Sequence, residues 1–237
     1  MDGLALFEKK MEVIQNDPNA IIEYLISIQN DQYCLERFIQ KIILLFMNEN
    51  NYEMLQFMFQ EISNYEFNHY DLLNFICNNW KHGNIFNDVI KLFITNFSTF
   101  DFSIDNWIIF NKLAGIKKFE TLKMLLDYCD NFDLCNKPKL LFDICAHYDS
   151  NDNLEMVIYL LDKYPNYDIY NDYKQILYLA SNGYNHDIIK YIIENYPNGD
   201  IHFDDDWLLI TSGINFKKYL IENYYSIYVH ITIVMII

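Results

Sequence analysis

The chain is 237 residues long, 52% hydrophobic and 21% charged, which is the composition of a folded globular protein and not of a disordered one. A net charge of −16 argues against binding nucleic acid or anionic membranes, since both need clustered lysine and arginine. Six glycines and four prolines are too few for a β-sandwich, a barrel or a glycine-rich phosphate loop, and five cysteines without framework spacing point to reduced thiols in a cytoplasmic setting.

The opening stretch, MDGLALFEKKMEVIQ, has an early acid and no small-residue cleavage site, so it does not read as a signal peptide. No apolar run reaches the roughly 20 residues of a membrane helix. Residues 1–32 are expected to form N-terminal capping helices, the last around IIEYLISI (21–28). From there the chain repeats itself. MLQFMFQEI (54–62), VIKLFITNF (89–97), TLKMLLDYC (121–129), MVIYLLDKY (156–164), IIKYIIENY (188–196) and FKKYLIENY (216–224) each place apolar residues three and four apart without a breaker. Aligned on Leu25, Met58, Phe93, Leu125, Leu160, Ile192 and Leu220, the series advances by 33, 35, 32, 35, 32 and 28 residues. The next residue is also apolar each time: Ile26, Phe59, Ile94, Leu126, Leu161, Ile193 and Ile221. These pairs are expected to form the buried seam of a stacked array.

A second series keeps the same register. Glu66, Asp101, Asp133, Asp168 and Asp200 follow an anchor by eight residues, and each precedes an apolar residue. A polar segment then leads into a shorter helix: YDLLNFICN (70–78), DNWIIFNKLA (105–114), KLLFDICA (139–146), YKQILYLAS (173–181) and DDWLLITS (205–212). Neither helix of a pair can bury its apolar face alone, so neighbouring pairs must stack. The expected fold is all-α: a helix-pair solenoid over 33–224, in approximate units 33–65, 66–100, 101–132, 133–167, 168–199 and 200–224. An apolar C-terminal tail (225–237) would follow.

A unit of about 33 residues opening with an extended, acid-bearing turn fits the ankyrin repeat. The stretch NDYKQILYLASNGYNHDIIKYIIENYPNGDIHFDDDWLLITSG (171–213) resembles the ankyrin repeats of giant, mimivirus-like DNA viruses. The matching positions are Leu179, Ala180, Ser181, Asn182 and Gly183, then Lys190, Tyr191 and Glu194, then Gly199, Asp200, Ile201 and His202, and finally Asp204, Asp205 and Asp206. The resemblance covers about 133–224 closely and 54–132 more loosely. The Thr-Pro-Leu-His opening of standard ankyrin repeats is absent. What the resemblance implies is about six ankyrin-like repeats, no catalysis, no cofactor, and a viral protein acting on host proteins in the host cytoplasm.

On this reading Asp204 to Asp206 are the entry of a first helix, where aspartate caps well and acids suit the helix dipole. Asp105 stands equivalently before Trp107. Turn-side aromatics serve either as interface anchors or as a lid over the next repeat. The candidate partner-binding residues are therefore Asp105, Trp107, Tyr170, Tyr173, His202, Asp204, Asp205 and Trp207. Two further patterns read as structure. DSNDNLEM (149–156) starts like a calcium loop but has Leu154 and Leu160 where glycine and the closing glutamate belong, so it is expected to be a lengthened inter-helix loop. Cys129, Cys135, Cys145 and His147 lack the close spacing of a zinc site and fall at packing positions.

The tail YSIYVHITIVMII (225–237) is uncharged and β-branched, and a cap or a dimer contact is expected of it. The function expected is a non-catalytic scaffold presenting a concave, acidic and aromatic surface to a protein partner, for which a basic protein is a permitted choice. The alternative is a structural virion or assembly component that self-associates through its ends, the tail included.

Overall fold

The apolar spacing does wind the chain into helices. The computed structural model describes residues 17–79, 85–148, 151–211 and 214–224, the side chains of 105, 106, 203, 205, 214 and 215 excepted. Among the described residues there are thirteen α-helices, one short 3-10 helix and no strand. The tail (225–237) and residues 1–16 of the expected N-terminal capping segment lie outside the described residues. The chain divides into two compact units, Met1–Lys112 and Leu113–Ile237.

The first unit holds α1 (Pro18–Ile28), α2 (Gln32–Asn48), α3 (Tyr52–Ile62), α4 (His69–Asn78) and α5 (Phe86–Asn96), followed by a 3-10 turn (Ile104–Trp107) and the start of α6 (Ile108–Gly115). Side-chain caps start the helices: Asp17, Asp31, Asn51 and Asn68 accept from the backbone N–H of Asn19 and Ala20, Cys34, Met54 and Asp71 respectively. Each such cap contributes about 1 kcal/mol. Helices pack on their second neighbours. α1 meets α3 and α3 meets α5, while α2 meets α4. Leu25, Met58 and Phe93 are fully buried along the first of these rows. Ile26, expected in the seam, is instead 53% exposed, because α1 packs principally on α2 and α3 and turns its other flank outward.

The second unit repeats the scheme with α7 (Phe119–Tyr128), α8 (Lys139–Ala146), α9 (Asn151–Lys163), α10 (Ile169–Asn182), α11 (His186–Asn195), α12 (Phe203–Thr211) and α13 (Ile214–Asn223). Hairpins α8–α9, α10–α11 and α12–α13 stack like on like: α8 on α10, α10 on α12, and α9 on α11. Leu125, Leu160, Ile192 and Leu220 are fully buried. One boundary differs from expectation. The segment read as a lengthened loop (149–156) is helical from Asn151, because Asn153 turns inward at full burial and the helix starts around it.

The recurring acids have a physical role. Asp101, Asp133, Asp168 and Asp200 each accept a hydrogen bond from the backbone N–H two residues on, at Ser103, Cys135, Tyr170 and His202, over 2.8 to 3.1 Å. These are Asx turns, which bend the chain before the next first helix. The inter-helix loops are fixed by buried amides. The Asn185 amide, fully buried, donates to the carbonyls of Cys145 (2.8 Å) and His147, and its oxygen accepts from Asn153 at 3.1 Å. Gly183 is required nearby, since a Cβ there would sit 2.8 and 2.9 Å from the carbonyl oxygens of His147 and Ala146.

Candidate protein-docking face

Helices α8, α10 and α12 form one layer of the second unit, and their periodicity decides what that layer shows outward. On α10, Tyr173, Ile176, Leu177 and Ala180 are buried, so Asn171, Lys174, Gln175 and Tyr178 share the exposed stripe at helical spacing. Phe142 of α8 and Asp204 of α12 flank this stripe, and together they line a groove of about 460 Å³.

The groove is aromatic on one side and charged on the other. The Tyr178 ring, 41% exposed, stacks on Trp207 with centroids 4.5 Å apart and planes inclined by 27°. Lys174 Nζ pairs with Asp204 Oδ1 at 2.6 Å, both side chains being more than half exposed. Asp172, also in the groove lining, accepts from the Tyr167 hydroxyl at 2.7 Å. Burial first, and then Asp172, push the Tyr167 phenol well above its usual range, so it stays a proton donor. At the far end of the same helices Ser181 Oγ and Thr211 Oγ1 lie 3.2 Å apart, tying α10 to α12.

The opposite layer is knitted by tyrosines and acids. Tyr159 of α9 donates to Asp127 of α7 at 2.6 Å, and Tyr219 of α13 donates to Glu194 of α11 at 2.9 Å. Lys163 also reaches Asp127, at 2.7 Å. Hydrogen bonds from Lys163 and then Tyr159 hold the Asp127 carboxyl below its ordinary value. Lys123 and Lys190 lie over the Tyr159 and Tyr219 rings at 5.8 and 5.5 Å.

The residues singled out in the sequence are placed as follows. Tyr170 is 44% exposed, whereas Tyr173 is 4% exposed, its ring seated on Gly199. Asp204 lines the groove just described, and Trp207 backs it by stacking on Tyr178. His202 pairs through Nδ1 with Asp206 at 2.7 Å, beside the Asx turn of Asp200. Trp107 lies in the first unit and is buried at 7% exposure, edge-on to Phe110 at 5.0 Å. Trp107 and Tyr173 thus act as lids over neighbouring packing and not as surface anchors. Asp105 and Asp205 have side chains outside the described residues. The aspartate triplet is not a cap preceding a helix: α12 already begins at Phe203, and Asp204 and Asp206 take left-handed φ of 48° and 62° within it.

Sequence reasoning missed Phe142, Lys174, Gln175 and Tyr178. The signal was present as the polar stripe of YKQILYLAS opposite its apolar one, which by spacing alone is indistinguishable from an ordinary solvated helix face. Of the four residues imagined as zinc ligands, Cys129 and Cys145 are buried and Cys135 is exposed; burial pushes the Cys145 thiol up to about 12. Among the described residues no three His, Cys, Asp or Glu side chains gather as metal ligands, and no helix is long and apolar enough to cross a membrane.

No family model, no curated protein and no solved structure matches the chain.

Proposed function

We propose that this protein is a non-catalytic scaffold of ankyrin-like helix pairs that binds a protein partner on the exposed face of α8, α10 and α12. The observation that carries the reading is the Tyr178–Trp207 stack. Tyr178, 41% exposed, and the half-buried Trp207 come from successive first helices and stack beside a groove of about 460 Å³, which leaves apolar ring area open to solvent in the free chain. Aromatic anchors set in a shallow pocket and rimmed by polar groups are what partner-binding hot spots are made of. The like-on-like stacking of helix pairs, the acid-bearing Asx turns and the Asn182–Gly183 loop support the ankyrin-like assignment of the second unit. Stacked helices hold the face in place before binding, so little conformational freedom is lost when a partner docks. The cellular setting proposed is the host cytoplasm, with a host protein as partner; it stands on the sequence resemblance.

The test is site-directed photo-crosslinking from the groove. A benzoylphenylalanine at Gln175 should give a discrete protein adduct in cell extract, and the same group at Glu155, exposed on α9, should not. The adduct should disappear in Tyr178→Ala/Trp207→Ala with helicity unchanged by circular dichroism. Equal adducts from both positions, or an adduct indifferent to the double substitution, would overturn the reading.

A further inference from the structure

The docking reading leaves open what chemistry the face selects, and the second unit answers with its own contacts. Twice in the back layer, a half-buried tyrosine that donates to a carboxylate on the neighbouring helix also meets a lysine. Tyr159 has Lys123 over its ring, and its partner Asp127 also holds Lys163. Tyr219 has Lys190 over its ring while its hydroxyl bonds Glu194.

The front face carries the same ingredients in a form open to another molecule. Tyr178 stacks one ring face on Trp207 and keeps its other face available, its side chain 41% exposed, and the groove it lines contains the carboxylates of Asp172 and Asp204. Asp204 is held by Lys174, yet both side chains are more than half exposed. An exposed lysine–carboxylate pair contributes little, so exchanging it for a better cation meets slight resistance. The whole chain also favours a basic visitor, with 33 acidic against 17 basic residues.

Resting on the docking reading above, we propose that the partner segment presents an arginine, which lies on the Tyr178–Trp207 stack and takes Asp204 from Lys174, with Asp172 lining the same groove. Arginine suits the site better than lysine. Its planar guanidinium stacks on aromatic rings and forks onto a carboxylate through two N–H groups, whereas an ammonium does neither. Acidic segments meet like charge here and are rejected.

Three tryptophans make the test direct. In ¹⁵N-labelled full-length protein the indole N–H signal of Trp207 is identified by its loss in Trp207→Phe. The probe is a blocked helical peptide of three Ala-Ala-Ala-Ala-Arg units, compared with its lysine, glutamine and glutamate versions. The arginine peptide should shift the Trp207 signal saturably, and the lysine peptide should bind at least three-fold more weakly. Asp204→Asn or Tyr178→Ala should weaken arginine binding at least five-fold, whereas Asp187→Asn, an exposed acid of α11, should leave it unchanged. A Trp207 signal unmoved by the arginine peptide, or moved equally by the glutamine or glutamate peptide, overturns the proposal. If the photo-adduct from Gln175 survives that result, only the arginine chemistry falls; if the adduct is also absent, the docking reading falls with it.

Discussion

The Tyr159 hydroxyl meets the Asp127 carboxylate at 2.6 Å across 32 positions of sequence, and Tyr219 repeats the bond to Glu194 two helix pairs later in the row. In both cases the tyrosine immediately precedes a seam residue, Leu160 or Leu220, and the acid lies two residues after one, Leu125 or Ile192. A hydrogen bond bound to the repeat register in this way fixes how far one helix is shifted along the next.

Removing that bond should loosen the stack without unfolding it. Tyr159→Phe and Asp127→Asn are each expected to cost about 1 kcal/mol in chemical denaturation, and the double variant less than their sum, because the two residues share one interaction. Additive losses would mean that the contact does not contribute in solution.

The same carboxylate should make stability depend on pH. Asp127 is held below its ordinary value in the folded chain by Lys163 and Tyr159. Its contribution is therefore fully present above the unfolded carboxylate value of about 3.9 and is lost as pH falls through the lower, folded value. Thermal melts of wild type and Asp127→Asn should differ at pH 6 and converge as the pH is lowered past 3. A gap that widens on acidification would contradict the assignment.

Buried polar staples should cost more than exposed ones. Asn185→Leu would strip the Cys145 carbonyl of its side-chain donor and take one partner each from the His147 carbonyl and the Asn153 amide, which keep their bond to each other, where the α8–α9 and α10–α11 hairpins meet. The expected loss is about 3 kcal/mol, measured by urea denaturation. By contrast, Ile26→Ala, at an exposed position, should cost well under 1 kcal/mol, while Leu160→Ala in the seam should cost about 2 to 5 kcal/mol.

Gly199 offers a packing test. A Cβ there would lie 2.1 Å from Cζ of Tyr173, a ring only 4% exposed. Gly199→Ala should destabilise the protein by about 1 to 3 kcal/mol, and Tyr173→Leu in the same chain should recover part of that loss. Failure of the smaller side chain to rescue would show that the strain lies elsewhere.

Much of the fold was legible because it is periodic. The six anchor residues from Met58 to Leu220 came from spacing alone and all are buried, whereas of the apolar residues that follow them Ile94 and Ile221 are only half-buried. Helix starts were less legible: Asn151–Asn153 reads as a polar loop until Asn153 finds the Asn185 amide 32 residues away. Turn aromatics could not be sorted into lids and anchors, since Trp107 and Trp207 share a local pattern but meet different neighbours, Phe110 and Tyr178. The groove itself was hidden because Phe142, Tyr178 and Asp204 come from three separate helices, and only the α8–α10–α12 stacking brings them together.

That stacking can be trapped covalently. Ser181 and Thr211 face each other across α10 and α12 with oxygens 3.2 Å apart, so Ser181→Cys/Thr211→Cys, with the native cysteines replaced, should close an intramolecular disulfide under mild oxidation, while Asn182→Cys/Thr211→Cys should not. Failure of the first pair to close, or equal closure of both, would mean that α10 and α12 do not meet in this register and that the Tyr178–Trp207 platform does not exist as described.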